Sequence, residues 1–121
     1  MISREYKRKN MILIIEDSLT SLMILEKICE NINLKYKSTS SSLESLKLFN
    51  DFSFNMCLID IQLPVINGIE LNDRFKMINP NIYTIAITAG DLRILNLSRF
   101  NYVLQKPFLM KDLEDLLCKL I

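Results

Sequence analysis

The chain has no histidine and no tryptophan, only two glycines and three prolines, and three cysteines among 121 residues. The missing histidine excludes a zinc site, a Ser-His-Asp triad and a histidine general base. Neither sign of charge dominates: 15 Lys+Arg nearly cancel 14 Asp+Glu, leaving +1, so no broad basic coat for nucleic acid is available. The longest apolar run is Met11 to Ile15, far short of the roughly 20 residues that span a bilayer, and no transmembrane segment is expected. Cys29, Cys57 and Cys118 are odd in number, widely spaced and set among apolar neighbours. They read as reduced core residues of a cytoplasmic protein. What is present is a half-hydrophobic chain with 24% charged residues, which excludes disorder. Its length suits one domain that buries about two-thirds of its unfolded surface.

Arg4, Lys7, Arg8 and Lys9 before an apolar stretch imitate a secretory signal. A signal needs an apolar core of about 7 to 15 residues and a small-residue cleavage site, whereas this run stops at Glu16-Asp17. Residues 1–10 therefore read as a solvated basic tail and residues 11–121 as the domain. No aromatic stacking platform or helix-turn-helix pattern accompanies the basic residues, so direct nucleic-acid binding is not expected.

Apolar runs bounded by turn signals alternate with stretches of helical spacing, which predicts strand-helix units around a parallel sheet. Met11 to Ile15 is the first strand, followed after an N-capping Ser18 by a helix burying Leu19, Leu22, Leu25, Cys29 and Ile32. Leu34 to Lys37 alternates apolar with basic, as an edge strand does. A helix near Leu43 to Asn50 precedes a third strand, Met56 to Ile59, whose unbroken apolar character suits cover on both faces. After a Pro64 to Gly68 loop, Leu71, Phe75 and Ile78 mark a helix stopped at Asn79-Pro80. Ile82 to Thr88 is the fourth strand, Leu92 to Ser98 a short helix, and Tyr102 to Gln105 the fifth strand. Leu113, Leu116, Leu117 and Leu120 form the stripe of a last helix.

In an open parallel sheet ligands bind at the carboxyl ends of the strands, where the strand order reverses. Glu16 and Asp17 follow the first strand, Asp60 the third, Thr88 ends the fourth and Lys106 follows the fifth. Three carboxylates, a hydroxyl and an ammonium therefore collect at one edge. Crowded carboxylates repel unless a cation joins them. Oxygen-only ligands point to a hard ion, and Mg²⁺ fits best because it keeps several waters and uses few protein carboxylates. A lysine and a hydroxyl facing such an ion suit a phosphoryl group, with one carboxylate free as nucleophile.

In these motifs the chain resembles the response-regulator receiver domains of two-component signalling. They are Ile-Ile-Glu16-Asp17-Ser, Asp60-Ile-Gln-Leu-Pro64-Val-Ile-Asn-Gly68, Ile-Thr88-Ala89 and Lys106-Pro107-Phe108, in the family's order from Met11 onward. The resemblance implies an α/β, flavodoxin-like, doubly wound five-stranded parallel sheet of order 2-1-3-4-5 with helices on both faces. It implies that Asp60 is the phosphoacceptor, that Glu16 and Asp17 are Mg²⁺ ligands with Asp60, and that Gln62 is a ligand through its backbone carbonyl. Thr88 would bind the phosphoryl group and drive the switch, and Lys106 would pair with it ahead of a cis Lys106-Pro107 bond. The implied partner is a sensor histidine kinase or histidine phosphotransfer protein, which must supply the histidine this chain lacks. The downstream target is open, no membrane is involved, and a monomer or weak dimer is expected.

Two rivals remain at this point. A Mg²⁺-dependent hydrolase of the haloacid-dehalogenase type also uses an Asp after a parallel strand, but it needs a second Asp two residues on as general acid, where this chain has Gln62. A pseudo-receiver would bind partners without being phosphorylated. The chain also departs from the family's pattern. Only 18 positions separate Thr88 from Lys106, Gly90 weakens the start of the helix between them, and Val103 stands where an aromatic switch residue is usual, with Tyr102 one place earlier. In a strand that shift sends the ring to the opposite face.

Overall fold

The computed structural model describes residues 11–121, so the basic tail expected over residues 1–10 lies outside the described residues. The elements run β1 (Met11–Ile15), α1 (Leu19–Asn31), β2 (Lys35–Thr39), α2 (Ser42–Asp51), β3 (Met56–Asp60), α3 (Gly68–Ile78), β4 (Tyr83–Thr88), β5 (Tyr102–Gln105) and α4 (Met110–Leu120). All strand pairs are parallel, in the order β2-β1-β3-β4-β5. The flavodoxin-like arrangement expected from the sequence is the one observed.

Strand alternation builds two cores, one on each face of the sheet. Ile12 and Ile14 of β1, Leu58 of β3 and Ile85 and Ile87 of β4 point to one face, where α1 (Leu22, Leu25, Ile28, Cys29) and α4 (Leu113, Leu117) cover them. Leu13, Ile15, Cys57, Ile59 and Ala86 point to the other, covered by α2 (Phe49) and α3 (Leu71, Phe75). Phe49 and Phe75 stack there with ring centroids 4.3 Å apart. Polar caps start the helices: Ser18, Ser41 and Asn67 accept hydrogen bonds from the N–H groups of Ser21, Glu44 and Glu70. No helix among the described residues is long and apolar enough to cross a membrane.

The structure corrects several expectations. Leu92 to Ser98 is not a helix but a run of turns and bends. The Asp91 carboxylate accepts from the Arg93 N–H at 2.9 Å, and the Asn96 side chain accepts from the Ser98 N–H at 3.3 Å. Such local bonds offer the backbone an alternative to the helical ladder. Instead of helix packing, polar contacts from α3 hold the end of this connection. Asn72 Nδ2 donates to the Arg99 carbonyl at 3.1 Å, Asp73 pairs with Arg99 at 3.1 Å, and Lys76 donates to Asn101 Oδ1 at 2.7 Å. The same Asn101 oxygen accepts from the buried Thr84 N–H at 2.8 Å. Leu19 is 67% exposed, because it lies in the first turn of α1 on the side away from the sheet, and the covered stripe is carried by Leu22, Leu25, Ile28 and Cys29. Cys118 is exposed rather than in the core, since Leu113 and Leu117 set the buried face of α4. Cys29 and Cys57 are buried, and burial pushes the Cys29 thiol up to about 12 and the Cys57 thiol higher still.

Candidate functional site

β1 lies between β2 and β3, so the chain leaves β1 to one side and returns on the other, and the crevice opens at the carboxyl ends of β1 and β3. Glu16 follows β1 directly and is 1% exposed. Its Oε1 accepts from the Ser18 N–H at 3.2 Å, and its Oε2 stands 3.0 Å from Lys106 Nζ. Asp60 is the last residue of β3 and is also buried; its Oδ1 accepts from the Gln62 N–H at 3.0 Å. Burial and the adjacent Asp60 carboxyl raise the Glu16 pKa above its ordinary value, while Lys106 and the Ser18 N–H work in the opposite direction. The repulsive pair thus outweighs the single ammonium beside it.

Thr88 closes β4 and is fully buried; its Oγ1 accepts from the Gly90 N–H at 2.9 Å. Lys106 is placed by its own backbone, whose N–H donates to the Thr88 carbonyl at 2.8 Å, and the Lys106-Pro107 peptide bond is cis. The structure thereby gathers Glu16, Asp60, Thr88 and Lys106 from four strand ends. Asp17 is exposed at the mouth, and among the described residues no three acids stand close enough together to hold a metal ion. Turning the third carboxylate into water avoids a third mutual repulsion in the crevice. The Gln62 side chain is exposed, with Nε2 facing the Gly90 side of the crevice.

Three features of the site escaped the sequence reading. Gly68, a turn residue in the sequence pattern, abuts the end of β3: a Cβ on it would lie 2.3 Å from the Asp60 carbonyl oxygen and 2.7 Å from Ile61 Cα. Its N–H donates to the Ile61 carbonyl at 3.0 Å, which ties the first turn of α3 to the end of β3. Val65 has φ of 70° in the loop between them, an outlying conformation for a β-branched residue that no local sequence pattern signals. Finally, a cavity of about 460 Å³ opens beside Glu16 and Lys106, walled by Leu25, Ile87, Pro107 and Phe108. It lies between α1 and the loop after β5, a juxtaposition that only the tertiary fold produces.

With this geometry in place, comparison with known proteins identifies the class. Residues 12–117 match the response regulator receiver domain family, and the chain belongs to that family. It is 30% identical over 109 residues to the autoinducer 2 sensor kinase/phosphatase LuxQ of Vibrio parahaemolyticus, covering 86% of this chain and 13% of that protein. Among solved structures it is similar to a response regulator receiver domain from Clostridium thermocellum, with 27% identity, a TM-score of 0.82 and coverage of 91% and 92% of the two chains. The fold is shared with the response regulator TrrA of Thermotoga maritima in complex with Mg²⁺ and BeF, with TM-score 0.84, 21% identity and coverage of 93% and 99%. The chain spans 8% to 13% of the length of the first curated relatives it resembles.

Proposed function

We propose that residues 11–121 act as a phosphoacceptor domain in two-component signalling, with Asp60 taking a phosphoryl group from a phosphohistidine on a sensor histidine kinase or histidine phosphotransfer protein. The observation that carries this reading is the buried Glu16–Asp60 carboxyl pair at the strand ends, held against Lys106 and neighbouring Thr88. A buried acid pair whose own ammonium does not offset its repulsion fits a further cation, and the donors are all oxygen, which suits Mg²⁺. Glu16, Asp17, Asp60 and the Gln62 backbone carbonyl would hold the ion. When bound, Mg²⁺ supplies charge neutralisation for the phosphoryl oxygens.

The chain's own groups supply the rest. Gln62 N–H fixes one Asp60 oxygen, leaving the other to attack phosphorus. An O–P bond forms at Asp60, the donor's N–P bond breaks, and its electron pair returns to the donor imidazole. The Lys106 ammonium then turns from Glu16 toward the phosphoryl oxygens, and the Thr88 hydroxyl leaves the Gly90 N–H to donate to them. The domain is thus an acceptor that assists its own modification rather than a turnover enzyme, and we place it in the cytoplasm. Incubation with a small-molecule phosphodonor, followed by intact mass, tests this. One phosphoryl group should be added with Mg²⁺, and none with chelator or in Asp60→Asn. An unmodified wild-type chain would favour the pseudo-receiver.

A further inference from the structure

The loop between β3 and α3 is closed at its base and strained near its middle. Ile61 N–H donates to the Ile87 carbonyl at 3.1 Å and the Ile61 carbonyl accepts from Gly68 N–H at 3.0 Å, so residues 62–67 leave and return at one fixed point. Leu63 and Ile66 anchor the loop in the α2–α3 core. Between them the Ile66 N–H donates to the Pro64 carbonyl at 2.8 Å, which makes a three-residue turn centred on Val65. With φ of 70°, Val65 has the positive-φ form of that turn, which is rare and unfavourable for a β-branched side chain. Such a conformation persists only where the surroundings over-determine it. The Val65 side chain supplies no such support, since it is 80% exposed.

The support comes from α2. Ser42, the first residue of α2 after the Ser41 cap, is buried. Its Oγ donates to the Pro64 carbonyl at 3.1 Å and accepts from the Ile66 N–H at 3.3 Å, so one hydroxyl joins both ends of the turn. Ser45, buried one turn further along α2, donates in turn to the Ser42 carbonyl at 2.6 Å. Among the described residues, Ser42 is the one side chain from another helix or strand that hydrogen-bonds this loop. Building on the reading of Asp60 as the phosphoacceptor, we propose that Ser42 is a positioning residue for it. By clamping the Val65 turn, Ser42 keeps Gln62, two residues before that turn, where its N–H holds Asp60 Oδ1 at 3.0 Å. Without the hydroxyl the turn relaxes toward negative φ, Pro64 and Leu63 shift with it, and the Gln62 N–H loses its fixed aim at the carboxylate.

Ser42→Ala in the full chain tests the clamp through two measurements: phosphorylation by a small-molecule phosphodonor at saturating Mg²⁺, and hydrogen exchange of the metal-free protein. Phosphorylation should slow about tenfold, because a displaced carboxylate loses its alignment for attack. The Gln62 and Ile66 N–H groups should exchange about tenfold faster, as the loss of one hydrogen bond allows, while amides within β3 keep their wild-type rates. Val65→Gly supplies a comparison that a general loss of stability would not move. Glycine adopts positive φ without strain, so in that background Ser42→Ala should slow phosphorylation by less than about twofold. Unchanged Gln62 exchange or unslowed phosphorylation in Ser42→Ala overturns the proposal. So does equal slowing with and without Val65→Gly, which would mean that the hydroxyl acts through α2 alone. A wild-type chain that accepts no phosphate overturns the reading of Asp60 instead, and Gln62 exchange then still decides whether Ser42 holds the loop.

Discussion

Lys106 Nζ stands 3.0 Å from Glu16 Oε2, joining the end of β5 to the end of β1 across the intervening strand ends. The ammonium is partly exposed and the carboxylate is buried, so the bridge compensates only part of the cost of keeping Glu16 charged beside Asp60. Glu16→Gln should therefore raise the stability of the metal-free protein, because it removes the buried charge beside Asp60. It should also remove the stabilisation that Mg²⁺ gives the wild type. Urea unfolding with and without Mg²⁺ measures both effects, and a clear loss of metal-free stability would mean that the Lys106 bridge outweighs the repulsion.

The same pair fixes a pH dependence. The folded-state pKa of Glu16 lies above the reference value of 4.5, so the folded chain binds this proton more tightly than the unfolded chain. As pH falls from neutrality through the raised folded pKa, Glu16 protonation contributes stability, and that contribution is complete once pH is below the unfolded value. In Glu16→Gln this component of the metal-free profile should vanish. Unfolding midpoints across that window, wild type against Glu16→Gln, show whether it does.

Gly68→Ala should damage the site without touching any charged group. Its Cβ would overlap the Asp60 carbonyl oxygen and Ile61 Cα, both backbone atoms that cannot swing aside. A loss of about 1–3 kcal/mol is expected from overpacking, together with slower phosphorylation as the acceptor strand end shifts. Wild-type stability with wild-type phosphorylation kinetics would show that the first turn of α3 gives way instead.

Asn101→Ala should cost about 1–3 kcal/mol, because it leaves the buried Thr84 N–H and the Lys76 ammonium without their shared acceptor. Hydrogen exchange should then speed up over Arg99 to Tyr102, while residues 91–98, already outside any helix, exchange rapidly in both proteins. Slow exchange through residues 91–98 in the wild type would contradict this account of the connection.

The contrast between β3 and that connection shows what the sequence made legible. Met56 to Ile59 is unbroken in apolar character, as only a strand covered on both faces requires, and the acids and Lys106 follow strand ends directly, so topology alone assembles them. The short helix expected over Leu92 to Ser98 gives way to the Asx-type bonds of Asp91 and Asn96, whose strength depends on conformation rather than on periodicity. Leu19 and Cys118 were misplaced because spacing identifies an apolar stripe but not how far its cover extends. The close approach of Gly68 to Asp60 is a contact between α3 and the strand end that no local pattern encodes. Tyr102 was readable: with Val103 packed toward the α2–α3 core, the ring one residue earlier turns to the opposite face, as the two-residue period of a strand requires, and is 42% exposed there.

The central claim is that Asp60, and no other acid of the crevice, becomes the acyl phosphate. Reductive trapping with borohydride after treatment with a small phosphodonor and Mg²⁺ converts a phosphoaspartate to homoserine, and peptide mass mapping locates it. The account predicts homoserine at position 60 alone, dependent on Mg²⁺. Reduction at Glu16 or Asp17, or at no position in a chain that still binds Mg²⁺, would contradict it.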